Sequence, residues 1–171
     1  GNPAVSARLV LIGAPGAGKS TVAAALAARW GCPLVDTDTE FAAQHGTSVA
    51  EAIIDDEAAF RVAEEEVTVA ALATDGAVVA VGSGAVNAQS VQQVLRRLPT
   101  VWLRVGLVEA ARRSGLTGAR PVALGNVRGQ LHAMLEERAP LYESLADLVV
   151  ATDGRLADEV ADEIADWEER A

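Results

Sequence analysis

Gly13-Ala14-Pro15-Gly16-Ala17-Gly18-Lys19-Ser20-Thr21 fits the pattern G-x-x-x-x-G-K-[ST], and its flanks fit as well. Leu9-Val10-Leu11-Ile12 before it is a short apolar run that predicts a buried strand. Thr21 to Trp30 after it is rich in alanine and predicts a helix, stopped by Gly31. Strand, glycine loop and helix in that order predict a phosphate site. The three glycines free the backbone to turn successive N–H groups inward, and the helix N-terminus adds its unpaired donors. In such a loop Lys19 reaches the β- and γ-phosphates and the Ser20 hydroxyl ligates Mg²⁺. Lys19 is the only lysine in the chain, against thirteen arginines. A flexible point charge is thus kept at the one place where a moving phosphoryl group needs it.

Outward from the loop, the pattern alternates. Pro33-Leu34-Val35 reads as a second strand ending in Asp36-Thr37-Asp38, followed by a short helix closed at His45-Gly46. Ser48-Val49-Ala50-Glu51 is a capping box, and a longer helix runs from about Glu57 to Ala73. Ala77 to Val81 is a continuous apolar strand that ends in Gly82-Ser83-Gly84. Ser90 to Leu98 is helical, Thr100 to Arg104 is a fourth strand, and a helix carries Arg112 and Arg113. Residues 114–126 are rich in glycine and predict a mobile loop, a lid over the site. A helix over about Val127 to Ala146, a fifth strand at Asp147 to Ala151 and an acidic helix complete the chain. The expectation is one α/β domain over 1–171, a three-layer sandwich around an open parallel sheet.

Composition narrows the function. Half the residues are hydrophobic yet only six are aromatic, so Ala, Val and Leu must build the core. No apolar run approaches the ~20 residues needed to cross a bilayer, and no secretory pattern precedes the first strand. Cys32 is the only cysteine, which excludes an internal disulfide. The expectation is a cytoplasmic protein. A net charge of −10 argues against a general nucleic-acid binder. Seven acids between Asp158 and Glu169 account for much of that charge and read as a solvated helix face.

Ligands of open parallel sheets sit beyond the carboxyl ends of the strands. The glycine loop, Asp36 and Asp38, Gly82-Ser83-Gly84 and the 114–126 loop all fall there. In extended chain Asp36 and Asp38 project to the same side. One is suited to hold Mg²⁺ through water and the other to take a proton from an acceptor hydroxyl, although a capped strand-to-helix turn is an equal reading of the spacing. Arg61 lies beside Glu64 and Glu65 on its helix, either as a surface pair or as an arginine steadied to grip a carboxylate. Arg138 in Arg138-Ala139-Pro140-Leu141-Tyr142 poses the same choice. Arg120-Pro121 places a cation on the lid. His45, His132, Cys32 and the three tryptophans read as structural.

Taken together, these motifs resemble the shikimate kinases, small P-loop enzymes with a nucleoside monophosphate kinase-like fold. The match rests on the Gly13–Thr21 loop, Asp36-Thr37-Asp38, Phe60-Arg61 with Glu64-Glu65, Gly82-x-Gly84-Ala85-Val86, Arg120-Pro121 and Arg138 to Tyr142. The resemblance implies a five-stranded parallel sheet in the order 2-3-1-4-5 and Mg²⁺-dependent transfer of the ATP γ-phosphoryl to the 3-hydroxyl of shikimate by a monomer. It implies Asp38 as base, and Arg61 and Arg138 as partners of the shikimate carboxylate. Gly82, Ser83 and Gly84 would line the ring, and Lys19 and Arg120 would hold transferring charge. Ser20 and Asp36 would arrange the metal, and Arg112 or Arg113, with Arg155, would lie on the adenine side. Two features depart from the pattern. Ser83 stands where the family has a middle glycine, with strain expected if that position needs positive φ. Arg155-Leu156-Ala157 lacks the family's proline. A kinase of another polyol acid such as gluconate, or a nucleotide-binding module with little turnover, is the rival expectation.

Overall fold

The computed structural model describes residues 6–113 and 121–171, and for 121–128 the backbone alone. Five parallel strands form one sheet: β1 (Leu9–Ile12), β2 (Leu34–Asp36), β3 (Val78–Ala80), β4 (Thr100–Arg104) and β5 (Leu148–Ala151). Their order is β2-β3-β1-β4-β5, as expected. β1 is central, with Leu9 beside Val78 and Val10 beside Thr100.

The alternation along β1 decides the two layers. Leu9 and Leu11 point toward α1 (Lys19–Trp30) and α8 (Ala157–Arg170), packing with Leu26, Val160 and Ile164. Val10 and Ile12 point the other way, into a cluster with Leu72, Val91, Trp102 and Tyr142. Those residues come from α4 (Glu57–Leu72), α5 (Gln89–Leu95), β4 and α7 (Pro121–Leu145). Both faces of β1 are fully buried, each such side chain stabilising the fold by about 1.5–3 kcal/mol. A third, small cluster joins Phe41, Phe60 and Val67 where α2 (Thr37–His45), α3 (Val49–Asp55) and α4 meet. The Phe41 and Phe60 rings meet edge to face, with centroids 5.0 Å apart.

Helix ends follow the expected signals. Gly31 and Gly46 close α1 and α2 at φ 62° and 69°, and the Ser48 hydroxyl accepts from the Glu51 N–H at 3.1 Å. The start of α7 differs. The helix expected from about Val127 begins at Pro121, whose preset φ and missing donor suit the first helical position. Residues 121–126 are therefore helical instead of part of a loop, and 114–120 lie outside the described residues. Pro140 lies within α7, which runs on to Leu145. Trp102 is buried in the core, and Trp30, Trp167 and Cys32 pack partly buried against it. The acids of α8 stay at the surface, where Asp162 pairs with Arg29 and Glu168 with Arg8, each at 2.6 Å. Among the described residues no helix is long and apolar enough to cross a membrane.

Candidate active site

The glycine loop turns as the motif requires. Gly13, Gly16 and Gly18 have φ of 150°, 80° and 94°, angles that side chains rarely adopt. At Gly13 a Cβ would also lie 2.6 Å from the Leu103 carbonyl oxygen, so the loop is pressed against β4. Gly18 caps α1 without a side-chain acceptor, which leaves the first-turn donors of that helix to an anion. Lys19 lies across the mouth of the loop, its Nζ donating to the carbonyls of Gly13 (2.7 Å) and Ala14 (3.0 Å). Loss of water around the ammonium lowers its pKa to about 8, against the opposing pull of Asp38 and Asp36; Arg138 lowers it further.

Asp36 joins this cradle to the next segment. Its carboxylate accepts from the Ser20 hydroxyl and from the N–H groups of Asp38 (3.0 Å) and Thr39 (3.3 Å). It is thus at once the N-cap of α2 and the neighbour of the loop serine. Asp36 and Asp38 do not project to one side of an extended chain as expected, because the strand ends at Asp36 and Thr37 already belongs to α2. The two carboxylates are brought together by the first helical turn instead. Asp38 keeps part of its surface in solvent, yet its carboxylate presses on the chain at Gly82, where a Cβ would lie 2.8 Å from Oδ1. Desolvation and then the Asp36 charge push Asp38 above the ordinary carboxylate range, while Lys19 pulls it down.

Arg61 projects from α4 to the same end of the sheet. Its guanidinium pairs with Glu64 at 2.9 Å and Glu57 at 3.5 Å, and a Cβ at Gly84 would lie 3.0 Å from its Cζ. Glycine at 84 is what lets the guanidinium rest on the loop. Glu64 is buried, and burial raises its pKa despite the Arg61 hydrogen bond. Arg138 completes the group from α7, its charge acting on Lys19, Glu64 and Tyr142. Ser83 is not strained, for among the described residues no non-glycine has positive φ.

Arg113 stands on the far side of the cradle, donating to Gly16 O (3.3 Å), Ala17 O (3.2 Å) and both Thr152 oxygens. With Gly18, Thr21, Thr152, Arg155 and Leu156 it lines a pocket of about 250 Å³. Arg155 also pairs with Glu163 at 2.9 Å, so its turn is held without the expected proline. Arg120 lies outside the described residues. A larger pocket, about 640 Å³, opens around Phe41, His45, Asp55 and Asp56 on the outer side of α2–α4, and contains neither lysine nor arginine. Size alone does not mark the chemistry here.

Nucleotide and magnesium fit the residues present. The loop offers backbone donors, an ammonium and an uncapped helix end to a polyphosphate. Among the described residues no three His, Cys, Asp or Glu side chains form a metal cage. Mg²⁺ needs none, since it is held by one or two protein oxygens together with phosphates and water, and the Ser20 hydroxyl and the Asp36 carboxylate are oxygens of that kind beside the loop. Residues 15–168 match the family model described as shikimate kinase. The chain belongs to the shikimate kinase family. A shikimate kinase of Thermobifida fusca (strain YX) is 46% identical over 157 residues, 91% of each chain. The solved shikimate kinase from Acinetobacter baumannii in complex with shikimate is 26% identical, with a TM-score of 0.87 over 97% of this chain and 94% of that one. A gluconokinase from Sinorhizobium meliloti 1021 is similar at a TM-score of 0.58 and 21% identity over 98% and 94%, which shows a shared fold alone. As a shikimate kinase family member the chain is an ATP- and Mg²⁺-using kinase.

Thr37, Thr152 and Tyr142 bond to the backbone of these loops, and the sequence pattern assigned none of them a role. The signal for Thr37 was its place between the two aspartates. For Tyr142 it was its place four residues after Arg138, one helical turn on.

Proposed function

We propose that this chain transfers the γ-phosphoryl of ATP to the 3-hydroxyl of shikimate, giving ADP and shikimate 3-phosphate, as a cytoplasmic monomer without nucleic-acid or membrane partners. The observation that carries the reading is the convergence of Asp38 and Glu64 on Gly82 and of Arg61 on Gly84, with Arg138 contributing its charge to Glu64 and Lys19.

Two guanidinium groups at one end of the pocket suit a planar carboxylate, which each can bind as a fork. Glu64 steadies Arg61, and that pair offsets only part of its own desolvation. The acceptor hydroxyl is then left toward Asp38, which takes its proton as the oxygen attacks the γ-phosphorus and the bond to the β-phosphate oxygen breaks. Lys19 neutralises charge on the transferring group, and we assign Arg120 of the lid to the same task. Ser20, and Asp36 through water, would hold Mg²⁺, which neutralises phosphate charge when bound. The backbone of Gly13–Thr21 would hold the phosphates, and Arg113, with Arg155, the adenine side. Gly82, Ser83 and Gly84 would lie along the ring.

The test is ADP release from Mg·ATP with shikimate, then with gluconate and a set of hydroxy acids. Turnover on shikimate with little on the others is expected. Turnover confined to another acid, or ATP binding with no acceptor used, overturns the proposal.

A further inference from the structure

The Gly82-Ser83-Gly84 loop spends its polar groups unevenly. The Ser83 carbonyl accepts from the Tyr142 hydroxyl at 2.8 Å. Gly84 O accepts from Asn87 Nδ2 at 3.1 Å, and Gly82 O from the Ala85 N–H at 3.1 Å. The Gly82 N–H donates to the Thr37 hydroxyl at 2.8 Å, a buried bond spanning 45 residues of sequence.

The Thr37 bond has a clear structural origin. The β2–β3 ladder ends with Asp36 opposite Ala80. One step on, β2 turns into α2 and no longer offers a strand carbonyl to its neighbour. The Thr37 hydroxyl supplies the missing acceptor to Gly82. Thr37 is 2% exposed, so removing its oxygen leaves a buried N–H without a partner. The same turn carries Asp36 on one side of Thr37 and Asp38 on the other. The position of the proposed base is thereby tied to the loop that the acceptor lies on.

Tyr142 acts from the opposite flank. Its ring is buried beside Trp102, centroids 5.7 Å apart, and its hydroxyl ends on Ser83 O. Tyr142 and Arg138 share one face of α7, a turn apart, on the helix that begins at Pro121. We propose that Thr37 and Tyr142 are positioning residues that pin the acceptor loop from both sides, Thr37 fixing it against the proposed base and Tyr142 against the helix that carries Arg138. This rests on the proposed reading for the name of the acceptor, but the pinning itself does not.

Two measurements keep those apart. Amide exchange at Gly82, followed by NMR, needs no acceptor. Thr37→Val should speed it by about tenfold, the loss of one hydrogen bond, and Thr37→Ser should restore it. Steady-state kinetics form the second arm, run on shikimate or on whichever acid the wild type uses. Tyr142→Phe keeps the ring on Trp102 and should raise the acceptor KM about five- to tenfold while leaving the ATP KM unchanged. Thr37→Val should instead lower kcat, with Thr37→Ser near wild type. A merely structural role would lower Tm and reduce active enzyme without separating the two KM values. Unchanged Gly82 exchange in Thr37→Val, or equal changes in both KM values in Tyr142→Phe, would overturn the proposal. If the wild type uses no acceptor at all, the functional reading fails and the exchange result alone decides the pinning.

Discussion

The two halves of the site are held in place by different means. The phosphate cradle is nearly contiguous: Gly13 to Ser20 makes it from backbone angles, and β4 and Arg113 brace it from behind. The acceptor half has no such unit. Asp38, Arg61 with Glu64, the Gly82–Gly84 loop and Arg138 come from four separate elements, joined by side-chain bonds such as Thr37 to Gly82 and Tyr142 to Ser83. A backbone-made half is hard to retune by single substitutions, whereas a half made of side chains is not. Changes on the acceptor side should therefore alter acceptor use while nucleotide binding stays nearly intact.

The largest effect should come at Asp38. Asp38→Asn keeps the shape of the α2 turn, since the capping carboxylate is that of Asp36, but removes the proposed proton acceptor. General-base removal is worth about 10²–10⁴ in rate, so kcat should fall by about that factor. ATP affinity, measured by calorimetry, should change little. A collapse of ATP binding instead would show that the halves are not separable.

Gly84→Ala should come next. The added methyl would meet the Arg61 guanidinium, which must move off the loop. Losing one well-placed charged hydrogen bond is worth about 1.5–3 kcal/mol, or about 10- to 100-fold in acceptor KM. Arg61→Ala should match it closely, and the double variant should add little, because both remove the same contact. A fully additive double variant would separate Gly84 from Arg61.

A smaller, graded effect is expected on the nucleotide side with pH. Lys19 lies near 8, below an ordinary lysine, so the free enzyme loses this ammonium as pH rises through about 8. The profile of kcat/KM for ATP, which reports free-enzyme groups, should fall above that pH, while kcat stays flatter because bound phosphates favour the charged form. Stability moves the other way. Between about 8 and an ordinary lysine value the unfolded chain binds the extra proton, so the ligand-free fold gains stability with rising pH across that window. Lys19→Met should flatten both curves.

How far the sequence alone could reach follows from the same division. The cradle was readable because its residues are neighbours and its glycines announce their angles; the strands and most helix ends were readable from apolar runs, caps and Gly31 or Gly46, whereas the sheet order came only with the resemblance. The acceptor half was assembled only through the resemblance, since no local pattern links Arg61 on α4 with Arg138 on α7. Thr37 and Tyr142 were missed as working parts because their partners are backbone atoms 45 and 59 residues away. The pairing of Asp36 and Asp38 was anticipated for the wrong reason: strand alternation was assumed where a helix begins. Starting α7 at Pro121 was hidden by the glycines around it, which lower helix propensity without forbidding a helix that tertiary packing stabilises.

The smallest effect should be at Ser83, the departure that most invited a large one. A middle glycine would matter if the backbone there needed positive φ, but Ser83 sits at ordinary angles. Its bond to Tyr142 runs through the carbonyl, which any residue supplies. Ser83→Gly should therefore leave acceptor KM and kcat within about twofold, and its main cost should be backbone entropy, lowering stability by about 0.5–1 kcal/mol in a denaturant titration. A large loss of acceptor affinity in Ser83→Gly would mean that the hydroxyl itself contacts the acceptor. The acceptor half would then differ from its relatives in a substrate contact and not only in backbone support.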